Sequence, residues 1–179
     1  MAEGGPSRKN PNDSSATLEA EVVRHGDSWT QLSDTPLKQA AQAVLRAAPP
    51  LPHGTYQVTI VLTDDAEMRD LNRNWRGKDA PTNVLSFPAG ETFTGPRFLG
   101  DIVLAYETTW NEAREKEIAL QDHVAHLVIH GMLHLLGFDH AEDAEAERME
   151  DLERTALDSL GIADPYADAQ AGRPAEVSP

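Results

Sequence analysis

Residues 130–140 read H-G-M-L-H-L-L-G-F-D-H, and they place three imidazoles, His130, His134 and His140, where one metal ion can hold all of them. His130 and His134 are four residues apart, so on a helix they stack on one face within reach of a shared ion. Gly137 predicts the end of that helix, because glycine enters the left-handed conformation at little cost. Phe138-Asp139 then turn the chain so that His140 returns to the ion. Three neutral nitrogen ligands suit zinc and leave a fourth position for water, the arrangement of a catalytic rather than a structural site. A lone histidine on an apolar helix is ordinarily a hydrogen-bonded core residue. Three at this spacing, with glycine at the turn, read as a ligand set.

Upstream, Val124, Leu127, Val128, Leu133 and Leu135 make the segment 120–136 apolar on most of its circumference, which predicts a central buried helix with the metal site at its end. At 100° per residue, His123 and His126 fall in the same arc as His130 and His134. Either they support the ligands as donors or line the cleft, or they are unrelated to the site, His123 partly exposed and His126 simply hydrogen-bonded. The pattern H-x-x-x-H-x-x-G-x-x-H is also that of the metzincin proteases, in which a glutamate follows the first histidine as general base. Here that position is Gly131, so peptide hydrolysis by that route loses its base. Asp139 is read as a helix cap, forming Asp139-x-x-Glu142 as a capping box, or as a group that orients a histidine.

The remaining elements follow from periodicity and punctuation. A first strand is expected at 19–24, and Leu37, Ala40, Ala41, Val44 and Leu45 recur at helical spacing before Pro49-Pro50. Residues 56–63 have the β-branched content of a strand. Asp64 or Asp65 caps a short helix with Met68, Leu71 and Trp75 on its apolar side. Val84 to Phe87, closed by Pro88, and Leu99 to Tyr106 are two further strands. Helices are expected at 107–117, 120–136 and 141–160, the last with Met149, Leu152, Ala156 and Leu160 facing the core. Residues 1–16 and 164–179 read as tails too poor in apolar groups to order themselves, leaving 17–163 as the folded domain.

The chain has 179 residues, 40% of them hydrophobic, enough for one domain with a real core. It has no cysteine, which excludes disulfides, thiolate nucleophiles and Cys-ligated zinc. No apolar run is long enough to cross a bilayer and the start lacks a secretory signal, so a cytoplasmic location is expected. A net charge of −15 argues against a generic nucleic-acid binder, but the charge is uneven. Between positions 69 and 97, Arg69, Arg73, Arg76, Lys78 and Arg97 face only Asp70, Asp79 and Glu91, whereas 139–158 is dominated by acids.

Within that basic stretch, residues 71–88 read L-N-R-N-W-R-G-K-D-A-P-T-N-V-L-S-F-P. Arg76, Gly77 and Lys78 stand where a helix gives way to a loop; arginine can hold a phosphate through paired N–H donors, and glycine permits close backbone approach. On its own such a turn is ordinarily a solvated connection, with Asp79 free to pair with either cation. Together, W-R-G-K-D-x-P-T-N-V-L-S-F-P, a G-D-I strand and H-G-x-L-H-L-L-G-F-D-H resemble the bacterial YbeY family, zinc-dependent endoribonucleases associated with ribosomal RNA maturation. The resemblance covers roughly 56–166, including the closing D-P-Y at Asp164 to Tyr166. It implies that His130, His134 and His140 are the metal ligands and that Arg76 faces the substrate. It also implies an α+β fold with the ion at the base of a cleft, and a role in small-subunit rRNA 3′-end maturation and ribosome quality control.

The reading is therefore a single α+β domain with a small mixed β-sheet packed by helices, acting as a single-strand-type endoribonuclease with one zinc ion per chain. Arg76 is expected to be catalytic, and Arg76 and Lys78 to bind substrate. The expected partners are small-subunit rRNA, the ribosomal small subunit and its assembly proteins, with no membrane. Two other classes remain open: a metal-dependent hydrolase of another substrate such as peptide, and a ribosome-assembly or RNA-binding factor whose metal is structural.

Overall fold

A computed structural model describes residues 16–90 and 96–167. Among them the chain forms β1 (Ala16–Arg24), α1 (Asp34–Ala47), β2 (Gly54–Thr63), α2 (Asp65–Arg76), β3 (Val84–Pro88), β4 (Arg97–Ala105), α3 (Tyr106–Glu115), α4 (Leu120–Leu135) and α5 (Asp143–Asp158). The fold is α+β, as expected, with its last three helices gathered in the C-terminal half. The four strands lie in the order β1-β2-β4-β3. β1 with β2, and β2 with β4, are parallel pairs, each of which needs a crossover, and α1 and α2 supply them on opposite faces. β3 joins β4 antiparallel and makes the sheet mixed.

Alternation along the strands divides the core. Val58, Ile60 and Leu62 of β2 and Ile102 and Leu104 of β4 turn to one face, where they meet Leu37 and Val44 of α1, Val128 and Met132 of α4, and Met149 and Leu157 of α5. Leu85, Val103 and Ala105 turn to the other face beneath Met68 of α2. Asp64 caps α2 by accepting from the Glu67 backbone N–H at 2.8 Å.

Several expectations need correction. β1 begins at Ala16 rather than Glu19, because it pairs with β2 from Ala16 opposite Gly54 onward. α5 begins at Asp143, and its N-cap, Glu142, makes no side-chain cap bond. The Asp139 carboxylate instead accepts from the His140 backbone N–H at 2.8 Å, so the proposed capping box does not form; the residues before α5 serve the turn that returns His140. Trp75, expected on the apolar side of α2, is 71% exposed and meets Phe87 only edge-on, whereas Met68 earlier on that helix is fully buried. Residues 164–167, read as the start of a tail, are packed against α4 and α5: Tyr166 rests its ring edge-on to His126 of α4 at 5.8 Å, and Arg154 of α5 lies over that ring at 5.0 Å. Residues 1–15 and 168–179 lie outside the described residues.

α4 seats on the sheet through Gly131. A Cβ there would stand 2.8 Å from Ile102 Cγ2 and 3.1 Å from Ser86 Oγ, and the Gly131 carbonyl accepts from that hydroxyl at 3.3 Å. Gly131→Ala is therefore expected to cost about 1–3 kcal/mol through overpacking and to lower the melting temperature by several degrees. Gly100→Ala should be worse. Its Cβ would lie 2.1 Å from the Phe87 carbonyl oxygen, at a backbone φ of +137°. Thermal denaturation of the two variants checks the order; an unchanged melting temperature for Gly131→Ala would refute the close seating.

Candidate metal centre

The three histidines come together. His130 and His134 project from the last turns of α4, and one ligand atom from each of His130, His134 and His140 can be chosen so that all lie within 4.8 Å of one another. The turn that returns His140 is built by the backbone: Phe138 N–H donates to the Leu133 carbonyl and Gly137 N–H to the His134 carbonyl, both at 3.0 Å. Gly137 takes a φ of +89°, so this is the paired-bond helix end that glycine favours.

Behind the ligands stands a carboxylate that sequence reasoning missed. Glu153 of α5 is fully buried; its Oε1 accepts from His130 Nδ1 at 2.7 Å and its Oε2 from His126 Nε2 at 3.0 Å. The Tyr166 hydroxyl donates to the same Oε2. Burial alone would raise the Glu153 pKa, but hydrogen bonds from His126, His130 and Tyr166 outweigh it and hold the carboxyl at about 2. Tyr166 is pushed the other way, first by burial and then by its bond to Glu153. A carboxylate on Nδ1 places the His130 proton there and leaves Nε2 with its lone pair facing outward. One signal was available: Glu153 sits four residues after Met149 and three before Ala156, on the stripe α5 buries.

His130 Nε2 and His134 Nε2 are 3.1 Å apart. Two nitrogens bound to one tetrahedral zinc at about 2.0–2.1 Å each stand about 3.3 Å apart, so small adjustments would admit the ion. A hydrogen bond between the two rings would need the same distance. It would not need the third ring, and His140 is stacked over His130 at 5.7 Å between centroids and lies 5.1 Å from His134. Burial and the charges of His130 and His140 lower the His134 pKa, favouring the neutral form that binds metal. His140 is exposed, so the cluster opens to solvent on that side.

The other two histidines of the stripe differ in role. His126 supports the site through Glu153, whereas His123 is 1% exposed rather than partly exposed. Its Nε2 donates to Glu112 Oε2 at 2.7 Å, and its Nδ1 is buried without a hydrogen-bond partner. Glu112 also accepts from Asn83 Nδ2 at 3.0 Å, which ties α3 and α4 to the entry of β3.

Arg76 ends α2, and Gly77 caps it at a φ of +69°. Asp79 does not take either nearby cation: both its oxygens are bound by Arg69 at 2.8 Å, and Arg73 approaches at 3.3 Å. Arg76 and Lys78 are exposed, and their side chains make no hydrogen bond or ion pair among the described residues. Arg76 is not in contact with the histidines, yet both lie at one end of the sheet. Trp75 meets Phe87 edge-on at 5.7 Å, and β3 pairs Phe87 and Pro88 with Asp101 and Gly100. On the other face Leu135, next to His134, comes within 3.0 Å of where a Gly100 Cβ would stand. The edge strand β3 separates them.

A family model described as Endoribonuclease YbeY matches residues 24–161. A protein of Azorhizobium caulinodans named Endoribonuclease YbeY is 49% identical over 157 residues, covering 84% of this chain and 97% of that one. One of the same name from Erythrobacter litoralis is 50% identical over 161 residues, covering 84% and 98%. The solution structure of a Thermotoga maritima protein shares the fold with a TM-score of 0.52 at 24% identity, covering 87% of this chain and all of the other.

Two measurements follow. Glu153→Gln keeps the volume but weakens the hold on His130 Nδ1, and is expected to lower metal affinity about 10–100-fold, with His134→Ala losing more and His123→Ala little. Metal titration and elemental analysis check the order, and equal zinc content in His134→Ala and the wild type would sink the ligand assignment. The second concerns pH. Burial lowers the His123 pKa from its ordinary 6.5, against the pull of Glu112. Below pH 6.5 the unfolded chain takes up a proton that the folded chain resists, so His123's contribution to stability is complete above that value and declines as the pH falls beneath it. His123→Gln should lose part of that decline, read as a shallower drop in urea midpoint between pH 7.5 and 5.5 than in the wild type.

Proposed function

Because the chain belongs to the Endoribonuclease YbeY family, we propose that it is a single-strand-type, metal-dependent endoribonuclease in which His130, His134 and His140 hold one zinc ion and Arg76 and Lys78 meet the RNA backbone. The observation that carries the reading is the convergence of three histidine nitrogens within 4.8 Å on an opening flanked by exposed His140. A structural zinc site is closed by four protein ligands; three ligands leave a position open, which favours chemistry over a purely structural metal. Bound there, zinc supplies a Lewis acid and lowers the pKa of water at that open position.

The chain's own groups divide the remaining work. Glu153 keeps His130 in the tautomer that presents Nε2. With three donors already on it and its carboxyl held at about 2, it does not serve as the general base. Position 131 has no room for a base either, since even a Cβ meets Ile102 and Ser86. That absence weighs against the peptidase reading. The Arg76 guanidinium, uncommitted to any side chain among the described residues, stabilises charge developing on the phosphate through paired N–H donors, and Lys78 adds attraction for the strand.

The substrate we favour is small-subunit rRNA near its 3′ end, with the ribosomal small subunit and its assembly proteins as partners, in the cytoplasm. Family membership supports this reading. Among the described residues no helix is long and apolar enough to cross a membrane. The net charge of −15 makes free RNA a poor nonspecific ligand and favours a substrate presented at a local basic surface.

Zinc-loaded wild type is expected to cut single-stranded RNA and small-subunit particles, and His134→Ala to cut neither; no cleavage of any RNA by the zinc-loaded wild type would overturn the activity. Arg76→Ala should leave melting temperature and zinc content unchanged and reduce cleavage at least tenfold, with Arg76→Lys recovering part, since lysine keeps the charge and loses the bidentate geometry. Melting curves beside rate measurements separate the roles: a large stability loss with unchanged turnover per folded molecule would assign Arg76 to the fold.

A further inference from the structure

On the face of the sheet that carries α2 lies a recess of about 590 Å³, a volume suited to a small ligand or a single residue of a polymer. Val61 and Val103 form its floor, Leu71, Trp75 and Phe87 its walls, and Asp101, Glu67 and His25 its polar rim. Trp75 is largely in water, with its ring edge-on to Phe87. Glu67 is occupied: His25 Nδ1 lies 2.9 Å from one oxygen, which also accepts from the Thr63 hydroxyl. The Asp101 carboxylate makes no hydrogen bond or ion pair among the described residues, and the residue stands beside Phe87 in the β3–β4 register. Next along the chain from Trp75 come Arg76 and Lys78, whose side chains have no partner among the described residues.

These features match the parts of a nucleotide. An exposed aromatic face stacks a base, a free carboxylate accepts N–H donors from the base edge, and unpaired cations take the phosphate. A basic peptide would suit Trp75 and Asp101 but would meet Arg76 and Lys78 as like charges. The recess also lies across β3 from the end of α4 that carries the histidines. Pro88 and Ala89 close its end, and the Ala89 nitrogen lies 3.0 Å from where a Gly100 Cβ would stand, the same point that Leu135 approaches from the other face. A strand leaving the recess over the end of β3 therefore passes to the side of the sheet on which α4 carries the histidines.

Resting on the endoribonuclease reading, we propose that this recess holds one base of the single-stranded RNA close to the cut bond, with guanine preferred. Guanine alone among the four bases offers two adjacent donors, N1–H and the N2 amino group, to both oxygens of one carboxylate. Adenine, cytosine and uracil each offer fewer to such a partner. The site thus selects sequence as well as single-strandedness.

The test is cleavage of short RNAs that differ at one base, guanine, inosine or adenine, by zinc-loaded wild type, Trp75→Ala, Trp75→Phe and Asp101→Asn. Trp75→Ala is expected to raise KM about tenfold while zinc content and melting temperature stay unchanged, and Trp75→Phe to recover most of it. Wild type should prefer guanine, then inosine, which lacks the amino group, then adenine. Asp101→Asn should level the three. Wild type that cleaves all three RNAs alike, with Trp75→Ala indistinguishable from it, overturns the recess while leaving the ribonuclease reading in place. Wild type that cleaves none overturns that reading and this one with it. Unchanged cleavage kinetics in Trp75→Ala, together with loss of a protein partner from small-subunit particles, reassigns the recess to protein docking.

Discussion

A single buried carboxylate organises the C-terminal half of the molecule. Glu153 accepts from His126 and His130 on α4 and from Tyr166 beyond α5. An ionised carboxylate without water costs several kcal/mol unless donors satisfy it, so α4, α5 and residues 164–167 must be in place together. The same bond from His130 Nδ1 that settles this charge also sets the tautomer of that histidine. Stability and the orientation of the candidate metal site thus share one group, and Arg154, with its guanidinium over the Tyr166 ring at 5.0 Å, closes the far side of the arrangement.

Two glycines let a buried helix present ligands at its end, for different physical reasons. Gly131 is a matter of space: with no side chain, α4 lies close against Ile102 and Ser86 while His130 and His134 stay partly exposed. Gly137 is a matter of backbone conformation, its positive φ closing the helix so that His140 comes back over His130. The missing metzincin-type glutamate has the same origin as the close seating, since position 131 is packed against β3 and β4.

Charge is distributed by local competition as much as by composition. Asp79 is clamped by Arg69 and Arg73, and this leaves Arg76 and Lys78 uncommitted on an otherwise acidic protein. These cations and the histidines share one end of the sheet on opposite sides of the short edge strand β3, so a flexible polyanion crossing that edge can meet both. An exposed Trp75 and an unpaired Asp101 lie along the same route.

The clustering of the three histidines was legible in the sequence because everything it needs is local: helical spacing joins His130 to His134, and a glycine-ended helix brings back His140 within the next few residues. The strands and helices were legible for the same reason, each from its own periodicity, as was the turn at Arg76-Gly77-Lys78. What the tertiary structure alone decided is which side chains meet across distance. Glu153 is 23 residues from His130 and reaches it only because α5 packs on α4; its place on the buried stripe of α5 was the sole hint. Tyr166 in an expected tail, a fully buried His123, an exposed Trp75 and Asp139 turned from a cap to the His140 turn were misread because burial and partner choice belong to the packing of elements on one another. The strand order β1-β2-β4-β3, which sets Arg76 and the histidines at one end of the sheet, is likewise a property of pairing between distant segments, which no single stretch of residues encodes.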